Sequence, residues 1–160
     1  MKKKKVLLGL FLLAGVLILL GGVSIIFIME NQKTSYQSLE SVGKKDYDVN
    51  LVFSNEDIFT FYGSYHSKEK TLTIIDDEEK EQTLNQNLYL DFLKYLKEDY
   101  YNEEDKVTTM ISGNELKEML PFWENISSDS YECSYELVDK MILSIDCFCD
   151  KNRIALDFDA

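Results

Sequence analysis

Residues 131–159 read YECSYELVDKMILSIDCFCDKNRIALDFD, and the hydrophobic phase of this stretch decides the fold. Tyr131, Cys133, Tyr135 and Leu137 alternate with Glu132, Ser134 and Glu136. After Asp139 and Lys140, Leu143, Ile145, Cys147 and Cys149 alternate with Ser144, Asp146 and Phe148. Ile154, Leu156 and Phe158 then alternate with Arg153, Asp157 and Asp159. A period of two puts each apolar set on one face of a strand, so the stretch predicts a three-stranded antiparallel meander with one buried face. A tight turn at Lys151 and Asn152 sets Cys149 opposite Ile154, Cys147 opposite Leu156 and Ile145 opposite Phe158. A three-residue turn at Asp139 to Met141 sets Leu137 opposite Leu143, Tyr135 opposite Ile145 and Cys133 opposite Cys147. A one-residue slip would turn core residues to water, which favours this register.

Upstream, Tyr47, Val49, Leu51 and Phe53 share one face of a strand, with Asp48 and Asn50 on the other. The turn signal Ser54 to Asp57 leads to a second strand, Ile58 to Tyr65, and His66 to Lys70 leads to a third, Thr71 to Asp76. This is a second meander. Asp77 to Gln82 reads as a charged connection and Thr83 as the cap of a helix whose stripe is Leu84, Leu88, Phe92, Leu96 and Tyr100. Val107 to Ile111 is a short apolar run with strand character, and Ser112 or Asn114 opens a second short helix through Leu116, Met119 and Leu120, ended near Pro121. The predicted fold class is α+β: an N-terminal transmembrane helix, then one small domain of antiparallel strands in two meanders with two helices.

The membrane prediction rests on Val6 to Met29, which contains no charged residue. As a helix it would rise about 36 Å, enough to cross a hydrocarbon core of about 30 Å. Lys2 to Lys5 precede it, so the positive-inside rule places the N-terminus in the cytoplasm and the remainder outside. Cleavage after Gly21 or Gly22 would leave Ile25 to Ile28 at an exposed new terminus, and a lipobox beginning at Leu13 fails because Val16 stands where the lipidated cysteine would be. The segment therefore reads as an uncleaved signal anchor. The expected organisation is a basic tail at 1–5, the anchor at 6–29, a stalk at 30–46 and an extracytoplasmic domain at 47–160.

All 29 acidic residues follow Met29, against 13 basic ones, a formal charge of −16 for the outer part. Such a field repels nucleic acid and anionic headgroups and suits cationic partners. The ten tyrosines and nine phenylalanines argue against disorder.

Cys133 and Cys147, opposed on an outward-translocated hairpin, are predicted to form a disulfide, with Cys149 left over. A zinc site from these thiols and His66, the single histidine, lacks the second ligand pair of a metal signature. The acidic runs Asp76 to Glu79 and Glu103 to Asp105 lack the spaced ligands and turn glycine of a calcium loop. No metal or cofactor is expected. Phe122 and Trp123, beside the single proline Pro121, form either a binding patch or part of the core. Asn125, Ile126 and Ser127 form a glycosylation sequon. No nucleophile elbow, phosphate-cradling loop or zinc-protease motif occurs.

The expected function is a single-pass, membrane-anchored binding or accessory protein acting on a membrane or envelope partner without catalysis. The alternatives are an envelope hydrolase using a carboxylate pair and a structural subunit of a membrane complex.

Overall fold

The computed structural model describes residues 38–96 and 106–160. All of them belong to the unit Tyr36–Ala160, which is distinct from Met1–Ser35. The expected anchor at 6–29 lies outside the described residues. So do Tyr100 and the acidic run Glu103 to Asp105. Among the described residues no helix is long and apolar enough to cross a membrane.

Alternation of apolar and polar residues produces eight strands: β1 (Tyr47–Ser54), β2 (Ile58–His66), β3 (Thr71–Asp76), β4 (Glu81–Leu84), β5 (Val107–Ser112), β6 (Ser130–Val138), β7 (Met141–Cys149) and β8 (Asn152–Asp159). They form a single antiparallel sheet in the order β4-β3-β2-β1-β8-β7-β6-β5. The two meanders join where β1 pairs with β8, placing Leu51 opposite Leu156 and Val49 opposite Phe158 at the centre. One face carries the apolar core, and no charged side chain is buried among the described residues. Helices α1 (Leu88–Leu93) and α2 (Gly113–Met119) contribute Leu88, Phe92, Leu116 and Met119 to the same buried core.

Three expectations are corrected. The first concerns the N-terminal end of α1. Thr83 and Leu84 belong to β4, which pairs with β3, and the helix starts at Leu88 with Asn87 accepting from Leu90 N–H. The stripe Leu88, Phe92 and Leu96 is buried as expected, but it is carried by α1 and a following 3-10 turn, Lys94–Leu96. Leu84 fits the spacing of that stripe by coincidence, because a four-residue period is also a multiple of the strand period.

The second concerns the last hairpin. Its register is two residues away from the expected one: Cys149 faces Asn152, Cys147 faces Ile154 and Ile145 faces Leu156. Its turn is made by Asp150, at φ 53°, and Lys151. A two-residue shift keeps every side chain on its face, so hydrophobic alternation is satisfied by both registers and turn geometry chooses between them.

The third concerns the β6–β7 turn. It has two residues, Asp139 and Lys140 at φ 49° and 64°, the left-handed pair of a type I′ hairpin. Val138 then faces Met141 and Leu137 faces Ile142, and a bulge at Leu143 restores Tyr135 opposite Ile145 and Cys133 opposite Cys147. Ile142 is therefore the buried residue and Leu143 the exposed one. The Tyr89 hydroxyl accepts the Ile142 N–H at 2.9 Å, beside the point where the ladder is interrupted.

Of two other segments, the first carries the expected signal and the second departs from a stalk. Ser112 caps α2 in a capping box with Glu115. Residues 38–42 are helical and Leu39 is fully buried, so the later part of the segment read as a stalk is built into the core.

Candidate functional site

The helices lie against one face of the sheet, and strand alternation leaves the other face to water. On that face the side chains of neighbouring strands fall into rows. One row runs Ser64, Asp48, Asp159; the next runs Ile75, Tyr62, Asn50, Asp157, Ser144, Glu136. A third runs Ser54, Arg153, Phe148, Glu132, Met110. Tyr62 is 60% exposed, Met110 59%, Phe148 48% and Ile75 39%. Tyr62 and Ile75 are neighbours on adjacent strands, while Phe148 and Met110 flank Glu132 in another row, so the apolar groups of this face are interspersed with polar ones, as on a contact surface.

The charge on this face is nearly all of one sign. Asp48, Glu132, Glu136, Asp146, Asp157 and Asp159 point outward, and Arg153 is the only outward Lys or Arg on β1, β6, β7 and β8. Arg153 is held by Asp146 in a bidentate pair, with Nε 2.9 Å from Oδ1 and a terminal nitrogen 2.8 Å from Oδ2. Its guanidinium also stands 5.3 Å from the Phe148 ring centre. The hydrogen bond to Asp146 raises the Arg153 pKa further above its ordinary value, so this cation is fixed.

At the centre of the sheet Asp48 and Asp159 are a directly opposed pair, and Asn50 faces Asp157. Like charges in directly opposed strand positions destabilise a sheet. Ser64 Oγ donates to Asp48 Oδ1 at 2.7 Å, which satisfies one acceptor without neutralising it. Asn50 Oδ1 has no hydrogen-bond partner and is shielded from solvent. With Tyr62 and Gly63 these residues line an open trough on the sheet face.

The residues singled out in the sequence lie elsewhere. Cys133 and Cys147 are fully buried on the core face, with their sulfur atoms at disulfide distance, 2.07 Å. Cys149 is half-buried, and burial followed by the carboxylates of Asp150 and Asp129 raises its thiol pKa, which keeps it protonated and weakly nucleophilic. Phe122 and Trp123 are half-buried at one end of the core face. Trp123 stacks on Phe53 at 4.8 Å between ring centres and Phe122 lies 5.3 Å from Phe61.

His66 ends β2 in an exposed position. Asp76 Oδ1 accepts from the Glu78 and Lys80 N–H groups, which makes the first acidic run a closed turn. Among the described residues no group of three or more His, Cys, Asp or Glu is arranged to hold a metal ion. Asp48 and Asp159, the directly opposed carboxylates of the central strands, are both exposed on the open face. In the sequence Asp48, Asp157 and Phe148 already stand on the outward phase of their strands. The available signal was Tyr62 and Phe148 standing at outward positions where short polar residues are the norm.

No protein-family model matches the chain, and no curated protein matches it.

Proposed function

We propose that this chain is a single-pass, membrane-anchored binding module whose outer domain offers the open face of its sheet to a partner and acts by contact without catalysis. The observation that carries this reading is the set of exposed rings and aliphatic side chains, Tyr62, Phe148, Ile75 and Met110, on a sheet face that no described element covers. Apolar groups surrounded by polar ones are the usual composition of a protein contact surface. The uncharged stretch Val6 to Met29, preceded by Lys2 to Lys5, supports tethering with the domain outside the cytoplasm. The half-buried Phe122 and Trp123 belong, on this reading, to the support of the core and not to the contact surface.

Proximity labelling from the C-terminus of the full chain in intact cells tests the proposal. A specific envelope or membrane protein is expected among the labelled species, and its labelling should fall sharply in the double variant Tyr62→Ser, Phe148→Ser. Identical labelling by the variant and the parent chain would sink the assignment of the contact surface.

A further inference from the structure

We infer that the partner docks on the open sheet face through a basic segment of protein, with Lys or Arg side chains set among apolar ones. The inference rests on the binding-module reading and adds the chemistry of the occupant. Its first ground is charge complementarity. Asp48, Asp157, Asp159, Glu132 and Glu136 point outward, and none of them makes a direct salt bridge among the described residues, although Arg153 attracts Asp157 through space. Asp48 and Asp159 stand directly opposite one another, and neither is paired with a Lys or Arg among the described residues, a like-charge opposition that an incoming ammonium or guanidinium group relieves.

The second ground is the placement of apolar groups around this charge. Tyr62 and Ile75 lie to one side of the central carboxylates, and Phe148 and Met110 to the other. A bare inorganic cation makes no use of them, whereas a peptide with mixed side chains uses both. Asp157 and Asp159 stand two residues apart on β8, about 7 Å along the strand, which is the repeat of same-side residues in an extended peptide.

Charge also discriminates among occupants. A second copy of the chain would bring the same acidic face to this one. Residues 97–105 of the chain itself carry five carboxylates and one lysine, again the wrong sign. Anionic lipid and nucleic acid are repelled for the same reason. The basic tail Lys2 to Lys5 has the right sign, but the proposed topology puts it across the membrane.

The test uses the full chain in nanodiscs of phosphatidylcholine and a fluorescent peptide, Tyr-Ser-Arg-Ser-Arg-Ser-Tyr, whose arginines and tyrosines share one side when extended, with Tyr-Ser-Glu-Ser-Glu-Ser-Tyr as its counterpart. Binding is read by anisotropy with empty-nanodisc signal subtracted. Two variants remove the same formal charge: D48N/D157N/D159N on the face, and D77N/E78Q/E79Q in the β3–β4 turn. The basic peptide should bind the parent chain, the face variant should bind about tenfold more weakly, and the turn variant should lose less than threefold. Trp123 fluorescence checks that both variants fold.

Equal losses in the two variants, a loss under threefold in the face variant, no binding at all, or equal binding of the acidic peptide would each overturn the inference. So would concentration-dependent doubling of the particle mass that the face variant strengthens, since that makes a second copy the occupant. If the peptide fails in one of these ways while Tyr62→Ser, Phe148→Ser still abolishes labelling in cells, the binding module stands and only the basic partner falls.

Discussion

Replacing both Cys133 and Cys147 by alanine should remove a large fraction of the domain's stability, and the structure allows the loss to be divided. The two cysteines are 14 residues apart in sequence, and a cross-link closing a loop of that size restricts the unfolded chain by about 3 kcal/mol at 25 °C. Both side chains are fully buried, so loss of the sulfur atoms removes roughly 1 kcal/mol more at each site. The double variant should therefore unfold at lower urea with a loss of about 4 to 5 kcal/mol. Reductant acting on the parent chain should cost nearer to 3. The type I′ turn at Asp139 and Lys140 lowers both figures to the extent that the hairpin persists in the unfolded state. Urea unfolding of the full chain in detergent, followed through the single tryptophan, Trp123, reads the change directly. Mass labelling of thiols in the unreduced, unfolded protein should find one, Cys149. Three labelled thiols, or a reductant effect below about 1 kcal/mol, would refute the reasoning. They would also remove one support for an oxidising location of the domain.

Other perturbations probe separate parts of the fold. Gly113→Ala puts a methyl group into the Ser127 carbonyl oxygen and within 2.8 Å of that of Asp129. Relief requires displacing α2 or breaking the Gly113 N–H bond to Asp129, and denaturant titration should show a loss of about 3 kcal/mol. Tyr89→Phe leaves the buried N–H of Ile142 without its acceptor beside the β7 bulge and should cost about 1 to 3 kcal/mol, with loss of hydrogen-exchange protection centred on Ile142. Desolvation by burial raises the Tyr89 pKa from 10.0 to about 12, and the phenols of Tyr47 and Tyr135 shift the same way. Folding favours the neutral form of these groups, so their contribution is complete below pH 10 and is lost as pH rises above it, for Tyr89 through about 12 and for Tyr47 and Tyr135 further up. Urea midpoints should fall between about pH 9 and 11, with about 1 kcal/mol of the loss from Tyr89 by pH 11. Asp48→Asn should raise stability by a few tenths of a kcal/mol, because it ends the opposition to Asp159 while leaving an acceptor for Ser64 Oγ.

What could be read from the sequence was set by period, and what could not was set by degeneracy in that period. Tyr47 to Phe53 and Tyr131 to Leu137 alternate cleanly because one face is buried along the whole strand, and their burial patterns follow the alternation residue by residue. Ser112 and Glu115 announce α2 because the capping box is a local contact needing no tertiary partner. The β7–β8 register was ambiguous for the opposite reason. Shifts of two residues preserve the faces, and the choice lies in the backbone of Asp150. Glu81 to Leu84 carries too little apolar character to be seen as a strand, and it forms one by pairing with β3. The joining of two meanders into one sheet depends on β1 meeting β8 from opposite ends of the domain, a non-local pairing that local patterns do not encode. The open face follows from that joining. Eight strands in a row expose a broad outward surface, and α1 and α2 both serve the other side.

The shape of the sheet also separates two ways in which a strand-rich module can take a partner. An extended peptide added at an edge needs a long run of free backbone groups. Here one edge is β4, four residues of which Glu81, Gln82 and Thr83 are exposed and polar, a short edge of the kind that discourages strand addition. The other edge, β5, runs directly into α2, whose N-cap is the last residue of the strand. The longest strands, β1, β2, β6, β7 and β8, lie inside the sheet with both edges already paired, so only their side chains are available. Those are the strands that carry Tyr62, Phe148, Asp48, Asp157 and Asp159. Recognition by side chains on the face, with little contribution from backbone pairing, makes affinity depend on charge and exposed rings, and it should therefore weaken with added salt in a way that edge pairing would not.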